Sequence, residues 1–205
     1  MYETMISEIA KNKLESFKPS FDEINKKMSP NELLKNSEKL GISGDKAEIE
    51  NIKNEVNEKQ KISEQSDYSK EVNNRIRSVD ELNVYKNEGL EEGEVNGRIV
   101  LKDNSIDINL KDEKGRTNLE RMEKGLAPID ENGKPYNLHH IGQNSDSPLA
   151  ELKDEVHKKN DAILHDKSKP TEVHGSNSEV NWDKERSDHW KARAEEIKAE
   201  QNKGV

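Results

Sequence analysis

The chain has 205 residues, 29% of them hydrophobic and 38% charged, with a formal net charge of −9. Two Phe, two Trp and four Tyr are poor material for one large core, so the composition favours two modest units over one. There is no cysteine, which excludes disulfide staples and thiolate metal sites and restricts any bound metal to nitrogen and oxygen ligands.

Residues 1–97 hold 15 basic and 21 acidic side chains, and 98–205 hold 19 and 22. Such a balance argues against a surface that coats nucleic acid non-specifically, because phosphate binding draws most of its energy from cationic side chains that release counterions. A nucleic-acid enzyme with this charge needs a local basic cleft and a cation of its own. The opening MYETMISEIAKNKLESF lacks a basic stretch followed by an apolar one, and no window approaches the length needed to cross a bilayer, so no membrane insertion of this segment is expected.

Residues 1–85 read as several helices with thin apolar faces, since their charges are mixed in sign rather than run in blocks. Ser29-Pro30-Asn31-Glu32 is a helix start, with Ser29 as N-cap and Glu32 as its capping-box partner, and Gly41 is the stop. Gly44-Asp45 opens the next helix, where Ile49, Ile52 and Val56 share one face before the pattern fades through 57–71.

From Glu88 the texture changes. Gly89, Gly93 and Gly97 arrive at intervals of four, and the runs Arg98–Leu101 and Ile106–Leu110, separated by Lys102-Asp103-Asn104-Ser105, predict a hairpin. Thr117 caps a short helix with Glu120 as its box partner, Gly125 ends it before Pro128, and Arg116 and Arg121 lie near its beginning. Asp130 to Pro135 then turns the chain into a strand over Tyr136–Ile141. The span Leu149–His165 is largely helical by pattern, with room for a short strand over Leu149–Leu152, and a charged helix runs from about Asp183 to Gln201. In that last helix Trp182, Arg186 and Trp190 fall at spacings that can face the core together. The fold class read from these elements is α+β, with a mostly helical region over 1–85 followed by a small mixed domain over 86–205.

All six histidines lie between His139 and His189, which confines imidazole chemistry to the second half. Neighbouring residues on a strand point to opposite faces, so His139 and His140 divide their labour, one towards a metal and the other towards a substrate. On a continuous helix His157, Asp161 and His165, at spacings of four, share roughly one face and suit a mononuclear site completed by a histidine from the strand. A Lewis acid beside a proton acceptor is what phosphodiester hydrolysis requires.

Ordinary readings stand beside these. His174 and His189 read as partly buried polar residues with one hydrogen bond each, and Trp182 and Trp190 as core, with base stacking the lesser reading. Arg116 and Arg121 either balance Glu113, Glu120 and Glu123 or contact phosphate. Lys158-Lys159 reads as a solvated face.

An ordered series of motifs runs through the second half: Gly115-Arg116-Thr117-Asn118 leading to Arg121-Met122 and Gly125, Ala127-Pro128-Ile129-Asp130, Asn132-Gly133-Lys134-Pro135, Leu138-His139-His140-Ile141-Gly142-Gln143, Ser147-Pro148-Leu149-Ala150-Glu151-Leu152, His157, Leu164-His165 and Trp190-Lys191-Ala192-Arg193. By this series the chain, from about Asn96 to Arg193, resembles the LHH family of nuclease toxin domains in the HNH and endonuclease VII superfamily.

The resemblance implies a ββα-metal (His-Me finger) nuclease over 86–205, with His140 as general base and His139 as a metal ligand or a residue orienting the site. It makes His157 and His165 metal ligands and Gln143 a substrate or scaffold residue; the helix start beside Arg116 and Arg121 makes these two the expected phosphate contacts, with Arg121 also assisting the reaction. The interval from His157 to His165 is longer than the His-x-x-x-His helix of other HNH branches, which leaves Asp161 or Asn160 open as a ligand in place of one of them. One divalent ion is implied, with zinc, magnesium, manganese and nickel undistinguished.

The implied substrate is nucleic acid, DNA ahead of RNA. The implied setting is the C-terminal cargo of a larger secreted bacterial toxin, delivered into a rival cell, acting in its cytoplasm and neutralised by a cognate immunity protein. Residues 1–85 have no counterpart in the resemblance and are expected to be a helical linker, a pretoxin region or a partner-binding region. The alternative function is a His-rich, metal-stabilised protein-binding module without catalysis. A third reading makes the acidic first half an intramolecular inhibitor of the second.

Overall fold

The computed structural model describes residues 46–168, 173 and 181–203. The helix expected from Ser29 to Gly41, the start at Gly44-Asp45, and His174 lie outside them. The described residues form two compact units, one of 46–67 with 77–79 and the other of 68–76 with 80–203.

In the first unit α1 (Lys46–Gln65) carries the apolar pattern further than the sequence suggested. Val56, Lys59 and Ile62 are all buried at spacings of three, so the face continues through the stretch expected to fade. Lys59 extends it because its aliphatic stem covers apolar surface as a hydrocarbon does.

The second unit begins with α2 (Lys70–Arg75), whose N-cap Ser69 accepts the Val72 N–H at 3.3 Å, and continues through most of α3 (Val79–Asn87). Tyr68 donates its hydroxyl to the Leu90 carbonyl at 2.9 Å, and the Ser69 N–H donates to Glu92 at 2.6 Å, which ties the start of α2 to the strand that follows. Within α3, Leu82, Val84 and Tyr85 are buried, and the Tyr85 hydroxyl satisfies the buried Glu81 carboxylate at 2.9 Å.

A four-stranded sheet in the order β1-β2-β4-β3 is the platform of this unit, built from β1 (Glu91–Val95), β2 (Arg98–Lys102), β3 (Asn137–His140) and β4 (Leu149–Leu152). β1 and β2 are antiparallel, β2 and β4 parallel, and β3 and β4 antiparallel with His139 opposite Ala150 and His140 opposite Leu149. β3 is therefore an edge strand and holds both histidines at the rim.

The observed hairpin differs from the expected one. Its turn is Asn96-Gly97, with φ of 53° and 75°, the left-handed pair that a two-residue type I′ turn demands. Ile106 and Ile108 are not paired as a strand; they pack against a cluster of Met122, Tyr136, Trp190 and Ala194, so their apolar alternation serves a loop pressed onto the core.

The elements between the hairpin and the end of the chain are short. α4 (Asn118–Glu123) has the expected capping box between Thr117 and Glu120, and buried Asn118 staples two loops by donating to Asp107 and Ile129 carbonyls at 3.0 and 2.8 Å while accepting the Ile129 N–H at 2.7 Å. The expected helix after β4 is two helices, α5 (Asp154–Lys159) and α6 (Asp161–Leu164), broken at Asn160, whose φ of −103° and ψ of 17° leave the helical region.

α7 (Trp182–Lys203) packs along α4 and reaches β1. Trp190 is fully buried and Trp182 packs against Val95, Val100, Leu138 and Leu149, while Arg186 faces solvent with Asp183, correcting its expected inward place. Deeper in α7, His189 and Arg193 meet fully buried Glu151 of β4 at 2.9 and 3.0 Å, which locks the helix to the sheet. The fold of the second unit is thus mixed α+β with one small sheet. No helix among the described residues is long and apolar enough to cross a membrane.

Candidate active site

β3 delivers its two histidines to opposite sides, as strand alternation requires. His139 is buried, and its ring centroid lies 5.4 Å from that of His157 on α5 and 5.1 Å from that of His165 just beyond α6. The His157 and His165 rings are 5.0 Å apart, and each of the three offers a ligand atom within 4.8 Å of the others. That separation is within reach of side-chain rotation onto one ion at the ~2.0–2.1 Å of a metal–imidazole bond.

Local interactions hold these side chains in place. Asn137, at the start of β3, donates to Asp154 at 3.1 Å, tying the strand to the first turn of α5 that carries His157. The Asp154 carboxyl is held below its ordinary range by the Lys158 side chain and then by Asn137, so the acceptor stays ionised. At the other end of β3 the Gln143 N–H donates to the His140 carbonyl at 3.0 Å in a tight turn with Gln143 at φ 65°. The Gln143 side chain then accepts the Asp166 N–H at 2.5 Å, so the strand end and the segment after His165 are braced together.

The break at Asn160 does not scatter the imidazoles. The sequence reading needed a continuous helix to bring His157 and His165 to one face, yet the two short helices achieve the same convergence by turning the chain. Burial, followed by the charge of neighbouring His165, pushes the His157 imidazole below the ordinary histidine value, which favours the neutral form a metal requires. Asp161 is not a member of the three-residue group. It contacts His165 Nδ1 through Oδ1 at 3.0 Å and Lys167 through Oδ2 at 2.6 Å.

His140 occupies the other side of β3. Its ring centroid is 5.2 Å from that of Trp182, and its Nε2 is 3.1 Å from Oε2 of Glu185 on α7. Burial pushes the Glu185 carboxyl up, but His140 and Arg98 outweigh it and the net displacement is downward. His139, His140, His157 and His165 line one pocket, with Asn137, Gln143 and Trp182 also at its wall.

Arg116 and Arg121 are not among the residues lining this pocket. Both are bound to Asp112, at 2.7 Å each, and Arg121 also donates to the Ala127 carbonyl at 3.0 Å. The paired guanidiniums, Arg116 first, hold the Asp112 carboxyl far below the usual range, so the local geometry gives these arginines a scaffold to maintain. His189 is the buried, hydrogen-bonded histidine expected, bound to Glu151. Glu185 and Arg98 escaped the sequence reading; the one available signal was the spacing of three between Trp182 and Glu185, which puts the carboxylate on the same helical side as the ring.

Residues 117–196 match the family model LHH, described as a nuclease of the HNH/ENDO VII superfamily with conserved LHH. This match supports a nuclease domain, and it spans α4 through most of α7 with all four histidines of the pocket. No solved structure matches the chain.

Proposed function

We propose that this protein is a metal-dependent endonuclease of the ββα-metal type, acting on DNA in preference to RNA. The observation that carries the reading is the convergence of His139, His157 and His165 from three elements, with His140 on the opposite face of the same strand. A binding module needs only a closed ligand set, whereas three imidazoles beside a pocket leave coordination positions for water and substrate.

The donor set fits a transition metal. Three neutral imidazoles suit zinc, nickel or manganese better than magnesium, which prefers oxygen ligands and its own water. His139, His157 and His165 would hold the ion, which would supply Lewis-acid charge to a bound phosphate. His140 takes the proton of the attacking water on a ring nitrogen, and burial keeps bulk solvent from competing for that nitrogen. Gln143 and Asn137 brace the two ends of β3, so the proton acceptor and the ligand set keep a fixed separation.

The wider setting we propose, in keeping with the family resemblance, is a toxin delivered into rival bacteria as the end of a larger secreted chain, acting in the cytoplasm and neutralised by an immunity protein. Expression of the wild-type chain in a bacterial cytoplasm is expected to stop growth, and expression of a His140→Ala chain is not.

The direct test incubates the purified chain with supercoiled plasmid and with RNA across zinc, nickel, manganese and magnesium. Cleavage with a transition metal that ceases on chelation is expected. His140→Ala should lose on the order of 10²- to 10⁴-fold in rate, the usual contribution of a general base, while still melting cooperatively as a folded protein. Plasmid cleavage by His140→Ala at the wild-type rate removes His140 from the reaction.

A further inference from the structure

His140 is approached at Nε2 by a carboxylate that is itself fixed from behind. His140 Nε2 and Glu185 Oε2 are both buried and neither makes a hydrogen bond, although they lie 3.1 Å from each other. The two atoms lie at hydrogen-bonding separation, and rotation of the imidazole brings an Nε2–H into line with the carboxylate.

The second oxygen of Glu185 is taken by Arg98 Nη1. Arg98 opens β2 and is anchored to the loop between β3 and β4, donating to the Ser145 carbonyl at 2.7 Å through Nη2 and to the Ser147 carbonyl at 2.8 Å through Nε. Glu185 also sits one turn into α7, three residues after Trp182, whose ring packs beside the same imidazole. The buried Glu151–His189–Arg193 cluster holds α7 against β4, so the helix cannot carry Glu185 away. A carboxylate oriented this firmly is more than a surface ion pair.

We propose that Glu185, clamped by Arg98, is a positioning residue that accepts the Nε2–H of His140 and thereby leaves Nδ1 as the nitrogen that takes the proton from the attacking water. The proposal rests on the reading of His140 as general base. No atom is transferred to Glu185; the proton moves from water to Nδ1, and the Nε2–H bond stays intact.

The test uses the full chain and Glu185→Gln, which keeps the length of the side chain and an oxygen for Arg98. Cleavage of a labelled DNA duplex should lose on the order of 10- to 100-fold in kcat, with KM and metal affinity unchanged. In a His140→Ala background the same substitution should add no further loss, because its effect passes through the imidazole. In the metal-free protein labelled with ¹⁵N at histidine, the His140 Nε2–H should give a resolved, slowly exchanging resonance that moves in Glu185→Gln while the His157 and His165 signals stay.

Should Glu185→Gln fail to fold, Glu185→Asp keeps the charge for Arg98 while shortening the reach to His140, and the same losses are expected. A wild-type kcat in either folded variant, an additive loss in the double variant, or an unmoved ring resonance overturns the proposal. If the wild-type chain cleaves nothing, the general-base reading fails by itself. A Glu185-dependent Nε2–H resonance then upholds the pairing, and its absence overturns it.

Discussion

Asp161 stands behind His165. His165 Nδ1 lies 3.0 Å from the Asp161 carboxylate and 3.2 Å from the Asp161 backbone carbonyl, so this nitrogen is the one that donates and Nε2 is left with its lone pair for a metal. The Lys167 side chain holds the Asp161 carboxyl below its ordinary range and keeps it an acceptor. Asp161 is thus placed to orient His165, and the prediction is that it does so instead of ligating the metal itself. Asp161→Ala is expected to weaken zinc or manganese binding on the order of 10-fold by calorimetric titration, and to have no further effect once His165 is Ala. An independent loss in the His165→Ala background would make Asp161 a direct ligand. At this scale the division between His139 and His140 was legible because strand alternation constrains where neighbours point, whereas His157 and His165 converge through a turn at Asn160 that the helical spacing did not contain. Glu185 was not legible, because Trp182 at a helix start leaves both its third and fourth successors as candidates for the inward side, and only packing decides between Glu185 and Arg186.

Elements show the same division between local rules and packing. Gly97 and Gly125 have nearly the same left-handed φ, 75° and 72°, but a Cβ at Gly97 meets nothing within 4 Å whereas one at Gly125 runs into Ser187 and, at 3.1 Å, Lys191 on α7. Gly97→Ala is therefore expected to cost only the conformational penalty, about 1–2 kcal/mol in urea unfolding. Gly125→Ala should add to it the strain of overpacking, about 1–3 kcal/mol, of which Gly125→Ala with Ser187→Ala recovers part. Equal losses in the two single variants would mean that α4 and α7 part easily at this contact. The capping box of α4, the stop at Gly125, β3 and α7 all followed from local chemistry that the sequence displays. The hairpin did not, since the run Glu91–Val95 is acidic and poor in strand formers while Ile106 and Ile108 alternate as a strand would. Asn96-Gly97 carried the stronger signal, and long-range contact with Met122 and Trp190 claims the isoleucines. The break at Asn160 was equally hidden, because no proline or glycine marks it.

Across the whole molecule, the family match begins at residue 117, yet the compact unit that holds the pocket begins at residue 68. Val72, Ile76, Leu82, Val84 and Tyr85 are all buried, and α2 is tied through Arg75 to Asp146, at 2.9 Å, in the loop that follows His140. Each large apolar side chain buried is worth about 1.5–3 kcal/mol, and a domain has only about 5–15 kcal/mol in hand, so losing five of them with their backbone ties is a large fraction of the total. A chain of 68–205 is expected to melt cooperatively near the temperature of the full protein, and 86–205 to melt far lower or not cooperatively at all, as read by circular dichroism. This sets the boundary at which the inhibitor reading of the acidic first half has to be tested. With those melts as expected, nuclease activity of 1–205 against 68–205 compares two folded proteins, whereas 86–205 confuses release of inhibition with loss of fold. Should 86–205 melt with the full chain, α2 and α3 carry no weight in the unit that holds the histidines, and the shorter chain becomes the proper one for that comparison.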